Sequence, residues 1–170
     1  VSFGGPHEPW DTPAAYANRY EPGKMPAPAS RPEDRSERPR GTIDQRFEQA
    51  PQLDPGDIGA MRADYAGNVT LIDDQIGHIL SVIEQRGELD NTVSVLTADH
   101  GEHNGDAGLI YKETVLDGAV RVPLLIRTPD SGLAGSVSNT MVEWFDVGPT
   151  LVDLAGGKIT HDQDARSLGP

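Results

Sequence analysis

Three places in the chain hold residue types that could act on an ester or an anion. In TVSVLTADHGEHNG, Asp99 and His100 stand side by side, after a short β-branched run and before Gly101. A carboxylate next to an imidazole can supply two ligands to a divalent cation, and the glycine after them lets the backbone turn sharply. The plainer reading is that Asp99 forms a turn and His100 is an ordinary surface or core histidine. Lys112, in GLIYKETVLDG, is an isolated cation among acidic residues. Beside a metal it would stabilise the negative charge of a sulfate or phosphate ester; alone, it reads as a solvated surface lysine. His7 lies between two prolines in GGPHEPW. An imidazole can give a proton to a leaving oxygen near neutral pH, although by itself this one is a loop histidine.

These residues need elements to position them. From Asp57 to about Arg86, Ile58, Met61, Tyr65, Val69, Ile72, Ile76, Ile79 and Ile83 recur at spacings of three and four, which predicts a long helix. The turn RGELDN follows, then TVSVLT, a run of the kind that sits inside a sheet. Val122 to Ile126 reads as a second buried strand, with Pro123 marking an edge or entry position. Asp146 is placed to cap a helix that has Pro149 in its first turn and ends before Gly156-Gly157. Helix, strand, strand and helix together predict an α/β fold, a sheet with helices on its faces. In such sheets ligands collect beyond the carboxyl ends of the strands, where Asp99 and His100 fall. The first part differs in character: ten of the 14 prolines lie in residues 1–55. Proline fixes φ and removes a backbone donor, so EPGKMPAPASRPEDRSERPRG should run as loop, a surface excursion or lid. Residues 1–56 carry 7 basic and 9 acidic residues, against 7 and 18 in residues 57–170.

Composition narrows the function classes. The 170 residues carry a formal net charge of −13, and no basic stripe with interleaved aromatics offsets it, so nucleic acid is a poor partner. No apolar run is long enough to span a bilayer. With no cysteine, disulfides, thiolate metal sites and a Cys nucleophile are excluded, while the compartment is left open. Repeats and heptads are absent.

Taken in order, SFGGPHEPWDTPAAYANRYEPGKMPAP, YAGNVTLIDDQIGHILSVIEQRGELDNT, VSVLTADHGEHNGDAGLIYKETVLDGAVRVPLLIRTP, FDVGPTLVDLAG and DARSLGP resemble the later half of the catalytic domain of formylglycine-dependent sulfatases. TADHG alone is shared across the wider alkaline phosphatase superfamily; the longer string through GLIYK to RVPLLIR, with PHEPW upstream, is more particular. The resemblance implies an alkaline phosphatase-like α/β fold and a sulfuric ester hydrolase. In it, Asp99 and His100 match paired metal ligands, usually for Ca²⁺, with Mn²⁺ open because imidazole suits borderline metals. Lys112 matches the lysine on the sulfate and leaving oxygen, and His7 the histidine that binds sulfate and helps protonate the leaving group. The implied mechanism is attack on sulfur by a metal-activated formylglycine hydrate, on a small-molecule or glycan sulfate ester.

The departures define further expectations. The chain has no Cys- or Ser-x-Pro-x-Arg stretch and no counterpart of the family's first acidic metal pair; both are expected before Val1, making residues 1–170 the C-terminal portion of a catalytic domain, inactive alone, with a loop region over 1–56 and a compact α/β part over 57–170. Ala107 stands in NGDAG where many relatives have His. His103 is a substitute or, more simply, a solvated loop histidine; His78 and His161 read as surface residues. Asp73 and Asp74, adjacent on a helix, point in different directions and read as structural. The arginines of 31–46 could hold an anionic substrate, but Glu33, Asp34 and Glu37 between them favour a solvated loop. Two other functions stay open: a phosphonate or phosphodiester hydrolase on the same fold, and a non-catalytic anion-binding domain.

Overall fold

Residues 1–31, 41–129 and 132–169 are described by a computed structural model. They form two units, Val1–Leu89 with His100–Pro123, and Asp90–Asp99 with Leu124–Pro170. This division cuts across the change of composition near residue 56, because the segment before that point packs on the helix after it.

The first unit contains α1 (Ala14–Ala17), α2 (Gly41–Gln49), α3 (Pro55–Gln85) and α4 (Asp117–Val120). α3 is the long helix that the apolar spacing predicts. It starts at Pro55 because Asp54 and Asp57 form a reciprocal cap: the Asp57 N–H donates to Asp54 Oδ1 at 2.8 Å and the Asp54 N–H to Asp57 Oδ2 at 3.3 Å. Such a cap contributes about 1 kcal/mol. It ends where Gly87 takes φ +70, with the Gly87 N–H on Glu84 O and the Glu88 N–H on Ile83 O, which satisfies the last carbonyls.

The most closely packed face of α3 is not the branched apolar stripe. Val69 of that stripe is 45 % exposed, whereas Gly59, Ala63 and Gly67, four residues apart on one face, are all buried. Backbone lies against the two glycines. A Cβ on Gly59 would stand 2.6 Å from Pro22 O, and one on Gly67 3.0 Å from the Ala17 Cα and N atoms. Side chains then fix the register of α1 on α3: Thr12 Oγ1 donates to Asp64 O, Tyr20 and Thr70 hydroxyls meet at 2.6 Å, and Tyr16 donates to Asp74 at 3.0 Å. Asp74 is therefore structural, as expected. That hydrogen bond is the main cause holding the Tyr16 phenol above its ordinary value. Of the string expected to run as loop, residues 21–31 hold one 3₁₀ turn, Pro22–Lys24, and residues 32–40 lie outside the described residues; α2, nine residues long, is a helix inside the region expected as loop.

The second unit contains β1 (Ser94–Thr97), β2 (Leu124–Arg127) and α5 (Val147–Leu154). β1 and β2 pair antiparallel, Ser94 opposite Arg127 and Thr97 opposite Leu124. Both strands are where the sequence puts them, but the expected burial needs correction: Leu125 is 57 % exposed and Leu96 and Ile126 are exposed too. The described sheet has two strands, and side chains on both faces of so narrow a ribbon stay open to solvent. Asp146 needs a second correction. It makes no side-chain cap on α5; its carboxylate accepts from the Glu143 N–H at 3.1 Å and the Arg166 N–H at 2.9 Å. Although only 2 % exposed, it is held below the usual carboxylate range by those two backbone donors, Arg166 first. It closes the 3₁₀ turn before α5 and ties the chain end to it.

Candidate active site

The segment from Gly101 to Thr114 is a loop pinned at almost every residue. The Gly101 N–H donates to Ala119 O at 2.7 Å, His103 N–H to Tyr111 O at 3.0 Å and Gly105 N–H to Leu109 O at 2.8 Å. Gly101 must be glycine for lack of room: a Cβ there would lie 2.1 Å from Gly118 O. From outside the loop, Arg62 on α3 donates to Asn104 O and Pro26 O, both at 2.9 Å, and to Asp106 Oδ1. Glu102 supports the interior, accepting the Asn104 and Tyr111 N–H groups.

This frame brings three of the expected residues together. The Lys112 ammonium donates to His7 Nε2, across 105 residues of sequence. The His7 and His100 rings meet edge to face, 5.7 Å between centroids and 68° between planes. His7 Nδ1 lies 2.9 Å from Glu8 O and 3.0 Å from Glu8 Oε2. Both are acceptors, so Nδ1 carries hydrogen and Nε2 offers its lone pair to Lys112. His100 is arranged in the same way, with Nδ1 donating to Gly101 O at 2.9 Å. That bond leaves Nε2 as the lone-pair nitrogen, the tautomer taken by a metal-ligating imidazole. Asp99 is the residue before His100, two positions past the end of β1 and exposed. Among the described residues no cluster of three or more His, Asp or Glu could by itself hold a metal ion. The donor chemistry of Asp99 and His100 fits two ligands of a divalent cation.

Other expectations come out differently. His103 is not a solvated loop histidine: it is 2 % exposed, bonded through Nε2 to Thr114 Oγ1 at 2.7 Å. Burial pushes its pKa below the ordinary histidine value, against the opposing pull of Glu102 and Asp106. It packs the loop from inside and does not stand in for the missing histidine at 107. Ala107 itself lies at φ 56 with its N–H on Ala29 O. His78 and His161 are exposed, as expected. Of the arginines, Arg31 stacks its guanidinium 3.3 Å from the Phe47 ring centroid and Arg46 pairs with Glu113 at 2.5 Å; Arg35, Arg38 and Arg40 lie outside the described residues. The Arg46 pair borders a cavity of about 90 Å³ floored by Leu109, Ile110 and Tyr111. Sequence reasoning missed Glu8 and Glu102, although both lie inside the strings that carry the resemblance. A carboxylate one residue from a histidine gives no signal until the ring's orientation is known.

Comparison with known proteins follows the same lines. Residues 1–157 match the family described as Sulfatase. The chain is 34 % identical over 182 aligned residues to the multifunctional alkaline phosphatase superfamily protein PehA of Trinickia caryophylli, covering 97 % of this chain and 35 % of that one. It is 30 % identical to the arylsulfatase of Clostridium perfringens, over 99 % of this chain and 36 % of that protein. Among solved structures, the phosphonate monoester hydrolase of Silicibacter pomeroyi superposes with a TM-score of 0.78 at 35 % identity, over 96 % of this chain and 34 % of that one. The α/β fold is that of the alkaline phosphatase superfamily. The chain spans about a third of the length of these relatives.

Proposed function

The chain belongs to the sulfatase family, and from that premise we propose that it supplies the leaving-group side of an active site which, in the whole protein, hydrolyses a sulfate ester of a small molecule or glycan. The observation that carries this is the meeting of Lys112 Nζ with His7 Nε2, beside the His100 ring. The two nitrogens hold one hydrogen between them, so one side chain of the pair is cationic and the other carries a lone pair. An anionic ester entering beside them accepts from the Lys112 ammonium, which stabilises charge on its oxygens as the bond breaks. His7 Nε2, released from Lys112 and protonated from solvent, donates to the ester oxygens and gives that proton to the departing alcohol. Glu8, on Nδ1, keeps the ring turned for that transfer. Asp99 and His100 would hold a divalent cation, Ca²⁺ or Mn²⁺, which when bound supplies a Lewis acid to the ester. The nucleophile would come from outside these residues, since the chain contains no cysteine and no Ser-x-Pro-x-Arg.

A second reading has an observation of its own. A solved structure with a TM-score of 0.78 is titled a phosphonate monoester hydrolase, and sulfate and phosphonate esters present similar tetrahedral anions to Lys112 and His7. Rates of the whole protein on an aryl sulfate and on an aryl phosphonate separate the two. Lys112→Ala and His7→Ala should each lower kcat on the preferred ester by about 10²–10³-fold. Unchanged rates would remove both residues from the chemistry, and inactivity on every ester would leave the non-catalytic anion-binding reading.

A further inference from the structure

His7 and Lys112 come from distant loops and are partly exposed, so their own contact does not explain what keeps them apposed. Three residues after His7 and one before Lys112, the same two loops meet again. The Trp10 indole stacks on the Tyr111 ring, 6.2 Å between centroids at 16°. Tyr111 sits at φ +69, a left-handed conformation that a bulky aromatic residue rarely adopts and that costs on the order of 1–3 kcal/mol. Such a residue persists only where its surroundings determine it fully. Here they do: its N–H donates to Glu102 Oε1 at 2.5 Å, its carbonyl accepts from the His103 N–H at 3.0 Å, and its ring lies on Trp10. The left-handed turn sets the direction in which the chain leaves Tyr111, and thus where Lys112 projects. Trp10 pays for its place, since among the described residues its buried Nε1 has no hydrogen-bond partner.

We infer that Trp10 and Tyr111 are positioning residues, a stacked pair that clamps the His7 loop to the Lys112 loop and holds the two nitrogens within reach. The inference rests on the proposed hydrolase reading for its kinetic consequence, but not for its structural one. Neither ring is a catalytic residue. Loss of the stack should let Lys112 swing away, while the conservative ring should keep it in place.

The test uses Trp10→Ala and Trp10→Phe in the whole protein, with two readouts. On the preferred ester, Trp10→Ala should lower kcat about 10- to 100-fold, the cost of misplacing a reacting group by about 1 Å. KM should change little, and Trp10→Phe should recover most of the rate. Independently of activity, brief acetylation followed by peptide mass spectrometry reads the accessibility of Lys112, with the exposed Lys24 and Lys158 as internal references. Lys112 should label several-fold faster in Trp10→Ala than in the unaltered protein, and at the original rate in Trp10→Phe. Equal labelling in all three proteins overturns the clamp, whether or not any ester is turned over. A Phe variant as impaired as the Ala variant also overturns it, since the indole N–H would then be the working group. A raised KM with unchanged kcat would instead make Trp10 a substrate contact. An unaltered protein inactive on sulfate and phosphonate esters defeats the hydrolase reading alone, and the labelling result then decides the clamp.

Discussion

Three glycines of the first unit separate three physical reasons for lacking a side chain, and replacing each with alanine tests the account of the loop. A Cβ at Gly77, on α3, meets nothing within 4 Å; alanine there should stabilise by about 0.5–1 kcal/mol through helix propensity. Gly108 also has open space but sits at φ +73, so alanine should cost about 1 kcal/mol for the left-handed backbone alone. Gly101 has neither a helix nor a positive φ; its Cβ would fall 2.1 Å from Gly118 O and 3.3 Å from Ala119 O. Because those atoms are backbone, the 118–119 segment must move, which strains the packing by about 1–3 kcal/mol. The Gly101 N–H to Ala119 O bond, 2.7 Å, is lost with it, about 1 kcal/mol more. Reduced freedom of the unfolded chain returns about 0.5–1 kcal/mol. Gly101→Ala should therefore destabilise by about 1–3.5 kcal/mol, a fall in melting temperature of about 2–14 °C for a chain of this size. Thermal and denaturant unfolding of the three variants give the order directly. If Gly101→Ala melts with the unaltered protein, or above Gly108→Ala, the close approach of 101 to 118 is wrong, and with it the seating of His100.

The buried His103 makes stability depend on pH: its native pKa lies below the ordinary value, so the unfolded chain binds the extra proton first. Its contribution is complete above about pH 6.5 and is lost as pH falls toward the native value; in His103→Gln, denaturant midpoints between pH 7 and 5 should fall less steeply than in the unaltered chain. Asp146, held low by the Arg166 and Glu143 N–H groups, contributes fully above about pH 4 and loses that contribution below it. Asp146→Asn should accordingly unfold earlier at pH 7, and the gap between the two proteins should narrow under acid conditions. Dialysis of the whole protein against a chelator should abolish ester hydrolysis, with Ca²⁺ or Mn²⁺ restoring it; activity that survives complete metal removal would dismiss Asp99 and His100 as ligands.

The elements with a periodic signature were legible in the sequence, and the contacts that carry no period were not. α3 announced itself through apolar residues every three or four positions, and β1 and β2 through short branched runs. His7, His100 and Lys112 stood out because each is a reactive type in a glycine- or proline-punctuated setting, and the three do meet. What escaped was set by the third dimension. Backbone packing on Gly59 and Gly67 uses residues that a hydrophobic pattern scores as blank. His103 reads as a loop histidine until Thr114, eleven residues on, is seen to satisfy it. Asp146 has the type and position of a helix cap, but two backbone donors from elsewhere compete for its oxygens and win. The exposure of Leu96, Leu125 and Ile126 could not be read either, since a branched run looks alike whether or not anything covers it.

Keying the Pro13–Lys24 stretch to α3 through main chain on glycine has a consequence for how this molecule could change. Outward residues of that stretch, Ala15 or Asn18 for instance, can be exchanged without altering its seat on the helix, and so without shifting the imidazole that precedes it. New recognition could thus be grafted onto this strap by ordinary surface substitution. The same freedom does not extend to positions 59 and 67, where a single added methyl would lift the whole strap.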